Sequence, residues 1–430
     1  MRGVVLAAVS TIGVVVLAAG CGGGARSAEP VSKGSCGPLQ YHGPGKPQYV
    51  IVSDLPLRAP PGAREQVAGI EYVLKQRGYQ AGKYRIGYQS CDDSSASVGA
   101  YDNGVCTANA KAYATDTDVL GVIGPYNSGC AADEIPIADS ATKGPLAMIG
   151  TATTDPELTA AVPGGSTGTP DVYYPTHIRN FVRLTAPDQF QGAAAALLAK
   201  QHALRRVFVL DDGEGYGRAV AGWFTGAARR LGIGVAGKAT WNPKARGYAS
   251  LAAQVAGAHP DGVYLSGYDF LNGGKVLKAL RSRLGAGVVI FAPDGFADPN
   301  EDVHDAGKAA NGLLVTLAGV PDRDAGPAGK AILKATGPEQ PEQYGALYGA
   351  AGASVLLDAI ASSNGTRQSV SQSLFETSTP AGIIGKFGFD PQGDPTIGAM
   401  TVLHIVDGKP TFAKTLYPTG LLAKGPVSRA

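Results

Sequence analysis

Short apolar segments alternate with longer amphipathic segments along almost the whole chain of 430 residues. In the first part, strands are predicted at 49–52, 84–88, 120–123 and 146–149, and helices at 64–77 and 108–114. After Arg183 the alternation begins again, with strands predicted at 207–210, 235–240, 262–266, 288–292 and 313–316, and helices at 191–203, 216–231, 248–256, 274–283 and 343–361. This alternation is typical of α/β proteins with parallel sheets covered by helices. The restart near residue 184 predicts two such lobes.

The overall charge excludes one large class of partners. Lys and Arg number 37 and Asp and Glu number 35, so the formal net charge is +2 at pH 7. A chain this close to neutral lacks the strong positive field with which many proteins attract nucleic acids. No nucleic-acid partner is therefore predicted.

The N-terminus has the pattern of an export signal. One positive charge at Arg2 precedes an apolar region at 4–17. This region is shorter than the roughly 20 apolar residues of a transmembrane helix and has the length of a signal peptide. The following Leu17-Ala18-Ala19-Gly20-Cys21 resembles a bacterial lipoprotein signal, cleaved before a lipid-modified Cys21. We expect residues 1–20 to be the signal peptide and the Gly-, Ser- and Pro-containing stretch 21–45 to be a flexible tether. An ordinary secretory signal with an incidental cysteine is the alternative.

Four cysteines remain if Cys21 carries lipid: Cys36, Cys91, Cys106 and Cys130. An even number of cysteines in an exported protein favours two disulfides, but sequence does not choose among the three possible connectivities. Neither CxxC nor the usual histidine spacing of a zinc site is present. The sequence therefore predicts no metal site.

Two polar loops follow apolar strands in the first part of the chain. The strand at 120–123 leads to Asn127-Ser128-Gly129 and then to a helix-like stretch, whereas the strand at 146–149 leads to Gly150-Thr151-Ala152-Thr153-Thr154. In open α/β sheets, ligands bind at the carboxyl ends of the strands. The N-terminus of the helix favours an anion such as a carboxylate. Because no general base, metal cluster or nucleophile is evident there, these loops predict a site that holds a small acid without converting it.

Three further side chains follow strands in the second part of the chain. Asp294 comes after the apolar segment 288–292, and Tyr216 and Tyr268 come after the strands at 207–210 and 262–266. Asp294 is either a turn or capping residue or the partner of a ligand cation. Together the three residues favour a ligand-binding cleft.

Two motifs of enzymes occur in the wrong context. Gly164-Gly165-Ser166-Thr167-Gly168 fits GxSxG, but prolines flank it where a hydrolase needs a strand, a sharp turn and a helix. Residues 232–237 fit GxGxxG, but they run from a helix into a strand, the reverse of a dinucleotide-binding turn. The sequence predicts neither an enzyme nor a bound cofactor.

The same residues belong to short segments whose order and spacing resemble the periplasmic branched-chain amino-acid-binding proteins, receptors of an ATP-driven (ABC) importer family. The segments are 89–92, 124–129, 152–159, 183–192, 216–217, 266–268, 293–295, 312–316 and 389–394. The resemblance implies two Rossmann-like lobes with parallel sheets and three hinge crossings, the type I periplasmic-binding-protein fold. Crossings near 183–185, 316–319 and 387–390 would assign 46–184 with 318–388 to lobe 1 and 185–317 with 389–430 to lobe 2.

The resemblance also implies roles for the residues at the strand ends. Ser128 and the amide of Thr154 would bind a ligand α-carboxylate. The carbonyl of Ala152, the hydroxyl of Thr154 and the carboxylate of Asp294 would bind the α-ammonium. The residues expected to line the rest of the pocket are Tyr126, Asn127, Tyr216 and Tyr268.

Two departures from the family pattern concern the ligand. Aspartate stands at position 294, where well-studied members have the longer glutamate, and Leu57-Arg58-Ala59-Pro60 replaces an aromatic residue that often follows the first strand. Amides, urea-like solutes and aromatic acids therefore stay open as ligands beside amino acids.

The predicted function is that of an extracytoplasmic, membrane-anchored solute-binding lipoprotein. It would act as a monomer, close two lobes over a small zwitterion and deliver it to a membrane permease. A sensing module of the same fold that signals to a membrane partner is the first alternative. A small-amide hydrolase that uses Ser166 is the second.

Overall fold

The computed structural model describes residues 27–58, 60–99, 101–162, 165–297, 305–337 and 344–422. The predicted signal peptide 1–20 and the lipidation candidate Cys21 lie outside the described residues.

The first lobe contains a mainly parallel sheet. Its strands are β1 (Tyr49–Leu55), β2 (Gln80–Ala81), β3 (Tyr84–Asp92), β4 (Val119–Ile123), β5 (Ala147–Gly150) and β6 (Phe181–Arg183). Among the described residues they lie in the order β2-β3-β1-β4-β5-β6, and only β2 runs antiparallel to its neighbour. The helices are α1 (Pro61–Gln76), α2 (Asn103–Thr115) and α3 (Ser128–Asp139).

Both faces of this sheet are buried, because successive side chains of a strand point to opposite faces. Ile51 packs into the cluster that contains α1, whereas its neighbours Val50 and Val52 pack into the cluster that contains α2 and α3. A strand buried on both sides has a continuous apolar sequence. The apolar runs therefore mark the strands correctly.

The second lobe has a larger mixed sheet. Its strands are β7 (Arg206–Asp211), β8 (Gly234–Thr240), β9 (Gly262–Ser266), β10 (Val289–Ala292), β11 (Leu313–Ala318), β14 (Met400–Val406) and β15 (Lys409–Leu416). The strands β12 (Ser378–Gly382) and β13 (Gly385–Gly388) form a separate short hairpin. In the described chain the order is β15-β14-β11-β10-β9-β7-β8, with β14 and β15 antiparallel. Its helices are α4 (Asp188–Gln201), α5 (Gly215–Arg230), α6 (Ala249–Gly257) and α7 (Gly274–Leu284).

Three helices late in the chain lie between β11 and the last strands. They are α8 (Pro327–Thr336), α9 (Ala346–Ser362) and α10 (Arg367–Phe375), and α9 packs against α1 of the first lobe. The two helix backbones touch at glycines: a Cβ on Gly69 would lie 2.0 Å from the carbonyl oxygen of Ala346, and one on Gly349 would lie 2.1 Å from that of Gln66. A side chain at either position would push the helices apart.

The chain passes between the sheets after Arg183, after Ala318 and after Gly388. Hydrogen bonds join these passages to one another. The buried Arg183 donates through Nε to Asp394 Oδ1 at 2.7 Å, and the amide of Gly319 donates to the carbonyl of Ala399 at 2.9 Å. The residue boundaries of the lobes stay a prediction.

The described part of the predicted tether lies against the first sheet. Ala28 and Val31 are buried, and the amide of Val31 donates to Gln89 Oε1 at 2.7 Å. The amide of Gln40 donates to the carbonyl of Tyr88 at 2.8 Å. These residues cover the edge of β3, whose backbone groups would otherwise be open to another strand. Ala28, Val31 and Gln40 thus contact the lobe, while most other residues from 27 to 45 are exposed or half-buried, and the tether stays a prediction.

Both disulfides join residues of the first lobe or its N-terminal segment. Cys36 pairs with Cys91, and Cys106 of α2 pairs with Cys130 of α3. The structure thereby selects one of the three connectivities that the sequence leaves open.

In the described chain, no single helix combines the length and the apolar character needed to cross a membrane. The pair α9 and α10 meets that test only together and is bent by 119°.

Candidate functional site

A cavity of about 550 Å³ lies between the two lobes, at the carboxyl ends of strands from both sheets. All of the candidate residues from the sequence line it: Tyr126, Asn127, Ser128, Ala152, Thr154, Tyr216, Tyr268 and Asp294. Residues that follow β4, β5, β7, β9 and β10 meet there because the parallel strands of each sheet end at one edge. Their role in ligand binding stays a prediction.

One part of the cavity presents hydroxyl and amide groups of the first lobe. Ser128 is the first residue of α3, and its Oγ accepts hydrogen bonds from the amides of Thr154 (3.1 Å) and Asp155 (3.2 Å). The two predicted carboxylate ligands, Ser128 and the Thr154 amide, are thus bonded to each other in this structure. The Ser128 hydroxyl can still donate its own hydrogen to a ligand oxygen.

The neighbouring Asn127 precedes α3 but does not cap it. Its Oδ1 is buried and has no hydrogen-bond partner. A buried polar atom without a partner is costly, so this carbonyl favours a donor from a ligand or from water in the cavity.

The second lobe contributes another polar group to the cavity, the carboxyl of Asp294. Its Oδ1 accepts hydrogen bonds from the Tyr216 hydroxyl and from Gln191 Nε2, and its Oδ2 accepts from the Tyr344 hydroxyl at 2.7 Å. Burial raises the pKa of Asp294, although these three hydrogen bonds act in the opposite direction. The three donors are neutral, and together they hold the carboxyl group in one orientation.

The chain approaches itself closely next to Asp294. A Cβ on Gly295 would lie 2.3 Å from the carbonyl oxygen of Gly267, so only glycine fits there. This contact holds the loop after β10 against the loop after β9. The Asp294 carboxyl and the Tyr268 ring consequently line one cavity.

Tyr344 joins the two lobes beside Asp294. Its carbonyl accepts a hydrogen bond from Gln66 Nε2 of α1 at 2.8 Å, which fixes it to the first lobe. Its hydroxyl donates to Asp294 of the second lobe and accepts from the amide of Ala318 at 2.8 Å. The hydrogen bond between Tyr344 and Asp294 thus connects the lobes directly.

Aromatic rings form another part of the cavity wall. Tyr216 and Tyr268 are stacked with centroids 4.7 Å apart, and Phe270 stacks on Tyr268 at 4.9 Å. Tyr126 meets Tyr344 edge to face at 6.2 Å. Flat apolar surfaces beside a few fixed polar groups are typical of small-molecule sites.

The Thr154 hydroxyl and the Ala152 carbonyl, expected to bind an ammonium group, lie in different surroundings. The Thr154 hydroxyl hydrogen bonds to the carboxyl of Asp188, and the Thr154 carbonyl accepts from the amide of Asp188 at 2.8 Å. Ala152 lines the cavity. The predicted role of each of the two residues is not tested by these contacts.

Sequence reasoning missed three residues of the hydrogen-bond network around Asp294: Asp188, Gln191 and Tyr344. Asp188 follows the short strand β6, so its place at a strand end was a usable signal. Gln191 lies one helical turn further along α4, and Tyr344 precedes α9, far from the strands in sequence. No sequence pattern indicates that the Tyr344 hydroxyl hydrogen bonds to Asp294.

A second group of acidic residues is buried inside the first lobe. Single ligand atoms of Asp93, Cys106, Cys130 and Glu134 all lie within 4.8 Å of one another, a grouping that no sequence spacing indicates. In this structure the two cysteines form a disulfide, so no thiolate is present as a metal ligand.

Ser166, the serine of the GxSxG match, lies on an exposed loop at the cavity. Its backbone amide donates to Glu157 Oε1 at 2.9 Å. The described residues around it, 165–169, form no strand or helix, so they lack the context of a hydrolase nucleophile.

Comparison with known proteins identifies the family. A family model described as "Periplasmic binding protein" matches residues 62–410. No match was found among curated proteins.

Several solved structures share the fold. A leucine-binding protein from Thermotoga maritima is 22% identical with a TM-score of 0.71, and the match covers 86% of this chain and 99% of that one. A branched-chain amino-acid transporter substrate-binding protein from Streptococcus pneumoniae, in complex with isoleucine, is 17% identical (TM-score 0.69; coverage 86% and 99%). A solute-binding protein of an ABC transporter from Rhodopseudomonas palustris, in complex with p-hydroxybenzoic acid, is 16% identical (TM-score 0.68; coverage 86% and 97%).

These matches confirm the two-lobed α/β architecture, and they place the chain among binding proteins and not among enzymes. The chain belongs to the periplasmic binding protein family and has its type I fold.

Proposed function

We propose that this chain is an extracytoplasmic solute-binding lipoprotein of an ABC importer, which captures an amino acid or a similar small zwitterion between two closing lobes. The observation that carries the proposal is the arrangement of polar groups in the cavity. The first lobe contributes Ser128 at a helix N-terminus, and the second contributes the carboxyl of Asp294. A zwitterion bound in the cavity could pair its carboxylate with Ser128 and its ammonium group with Asp294.

The proposed roles follow the chemistry of each polar group. Ser128 and the N-terminal turn of α3 would bind the ligand carboxylate, and Asp294 would bind the ammonium group. Charge-assisted hydrogen bonds of this kind contribute roughly 1.5–3 kcal/mol each. Because the two groups belong to different lobes, only the closed arrangement makes both sets of contacts. Ligand binding would therefore favour closure.

A thermal-shift screen over amino acids, amides and small acids tests the proposal. A ligand that binds the folded chain raises its melting temperature by mass action. We expect at least one amino acid to do so. Ser128→Ala should lower the affinity for that amino acid by about tenfold, because one hydrogen bond to a charged group is lost. A screen in which no amino acid shifts the melting temperature would contradict the proposed ligand class.

Membrane anchoring and transport need separate tests. In the proposed lipoprotein, Cys21→Ala prevents lipid attachment and releases the mature chain from the cell surface. Cells that lack the chain should take up its ligand more slowly. Unchanged uptake, with the chain still binding the ligand, would favour the alternative role of a sensing module.

A further inference from the structure

Two carboxyl groups at the cavity share one amide side chain. Gln191 Nε2 donates to Asp188 Oδ1 and to Asp294 Oδ1, each at 3.0 Å. Gln191 Oε1 in turn accepts from the backbone amide of Asp294 at 3.1 Å. Asp188 and Asp294 both line the cavity, and the amide holds them in fixed positions next to each other.

Within the described residues, no Lys, Arg or His side chain hydrogen bonds to either carboxyl. Their other donors are neutral hydroxyls of Thr154, Tyr216 and Tyr344. The buried Arg183 is bound elsewhere, to Asp394, Thr159 and the carbonyl of Asp155. If both carboxyls were ionised, two neighbouring negative charges would lie in a poorly solvated site without a counter-charge, which is strongly unfavourable.

The groups around the pair add no positive charge. The titratable residues that face it are Asp155 from the loop after β5, Tyr216 from α5, Tyr264 from β9, Tyr268 from the loop after β9 and Tyr344 before α9. Burial raises the pKa of Asp188 well above its ordinary value, and the charge of Asp294 raises it further. The pair therefore keeps a proton when the cavity holds no cation.

The cavity as a whole has the same character. Acidic side chains line it at Asp155, Glu157, Asp188, Asp269 and Asp294, whereas none of its described lining residues is Lys, Arg or His. A carboxylate can be bound at Ser128 by neutral donors. A ligand with a carboxylate alone would nevertheless bring a second negative charge into an acidic cavity.

We propose that Asp188, Gln191 and Asp294 form a cation-exchange site, in which the ammonium group of the ligand replaces a proton that one of the two carboxyls otherwise carries. The inference rests on the proposed function and narrows its ligand class: an amino group is required, and acids without one are excluded. In the exchange, the O–H bond of one carboxylic acid breaks and its proton passes to the solvent. The ligand N–H groups then hydrogen bond to the resulting carboxylate, so one positive charge replaces another.

Isothermal titration calorimetry with matched probes tests this site. One set consists of leucine, isoamylamine and 4-methylpentanoate, and a second consists of phenylalanine, phenethylamine and 3-phenylpropanoate. The intact amino acid of at least one set should bind. Its amine should bind more weakly, and the acid should bind at least about 100-fold more weakly than the amino acid, a difference typical of an unpaired buried group.

Titrations at one pH in two buffers of different ionisation enthalpy measure the proton exchange. We expect release of up to one proton per bound amino acid, and an affinity that rises with pH. In Asp188→Asn the remaining carboxyl lacks its acidic neighbour and ionises more readily, so binding should persist with less proton release. The control is Asp139→Asn, since Asp139 is also buried but bonds to Thr176 away from the cavity. It should leave proton release unchanged.

Two outcomes overturn the inference while the proposed function stands. They are binding of the deaminated acid as tightly as the amino acid, and binding of the amino acid with no proton release by the unmodified chain. If the folded chain binds none of the amine-containing probes but binds 4-hydroxybenzoate, both the inference and the proposed amino-acid ligand are wrong.

Discussion

The molecule contains two groups of buried acids that differ in what they face. Asp188 and Asp294 line the cavity between the lobes, and neutral donors hold both of them. Asp54, Asp93 and Glu134 lie in the interior of the first lobe, each fully buried. Several of their oxygens have no hydrogen-bond partner: Asp54 Oδ2, both oxygens of Asp93, and Glu134 Oε1. None of these three residues is among those that line the cavity.

We infer that access, and not residue type, separates the proposed ligand site from the internal cluster. Burial raises the pKa in both groups, to about 8 for Asp54 and about 9 for Asp93. A cation from outside can reach the first pair through the cavity. The second group is fully buried and is not among the residues that line this cavity, so we expect a proton to be the cation that neutralises it.

The largest expected effect is on ligand binding. Asp294→Ala removes the carboxyl that would bind the ammonium group and leaves Tyr216, Tyr344 and Gln191 without their acceptor. Loss of one partner of a buried charge pair costs about 2–5 kcal/mol, so affinity should fall by roughly 100-fold or more. Calorimetry measures the loss, and circular dichroism checks that the fold is intact. Unchanged affinity in a folded variant would mean that the ammonium site lies elsewhere.

The internal group should instead control stability. The folded chain keeps protons on Asp54 and Asp93 up to about pH 8, whereas the unfolded chain loses them near the ordinary value of 3.8. Between these pH values the folded state binds more protons than the unfolded state. The free energy of unfolding contributed by these two groups is therefore greatest below about pH 4 and decreases as the pH rises toward 8. Each such group changes the free energy of unfolding by up to about 1.4 kcal/mol per pH unit.

Thermal melts between pH 5 and 8 measure this effect. The melting temperature should fall as pH rises, and Asp93→Asn, which is neutral at every pH, should make the fall shallower. The same substitution should leave ligand affinity unchanged because Asp93 does not line the cavity. A melting temperature that rises over this range would contradict the assignment of protons to the internal group.

A smaller effect separates two tyrosines, Tyr344 just before α9 and Tyr348 within it. Tyr344→Phe removes the hydrogen bond across the lobes to Asp294, whereas the Tyr348 hydroxyl accepts only from the amide of Val320 among the described contacts. A single hydrogen bond to a charged group contributes about 1.5–3 kcal/mol, so Tyr344→Phe should weaken ligand binding about tenfold or more. Tyr348→Phe, the matched control, should change it less than about threefold. Equal losses in the two variants would argue against a specific role of the bond to Asp294.

The smallest effect is expected at the outer end of the aromatic wall. Phe270 is 64% exposed and contacts Tyr268 by stacking, so Phe270→Ala should change ligand affinity by less than about threefold. Tyr268→Ala removes the ring between Phe270 and Tyr216 and should cost more. Calorimetry on the two variants ranks them, and the reverse order would place the main contact of the ligand at the mouth of the cavity.

Much of the fold could be predicted because local signals agree with the tertiary structure. The apolar segment at 207–210 lies within β7, and the helix predicted at 216–231 corresponds to α5 (Gly215–Arg230). The helix predicted at 108–114 covers only the end of α2, whose beginning is set by the Asp102 side chain accepting from the amides of Gly104 and Val105. Short elements such as β6 were missed, because three residues carry no periodic signal.

The candidate site was predicted in part for a similar reason. Residues at the ends of strands, such as Ser128 and Asp294, could be found because the parallel topology brings strand ends together. Gln191 and Tyr344 could not, since their position depends on how α4 and the segment before α9 pack around Asp294.

The sequence alone determined the alternation of strands and helices, its restart after Arg183 and the polar residues at the strand ends. Each of these depends on a local pattern of side chains along the backbone. The tertiary structure decided which cysteines pair, where residues 27–45 lie and which acids share Gln191. These are contacts between residues far apart in the chain, and only the packing of whole elements fixes such distances.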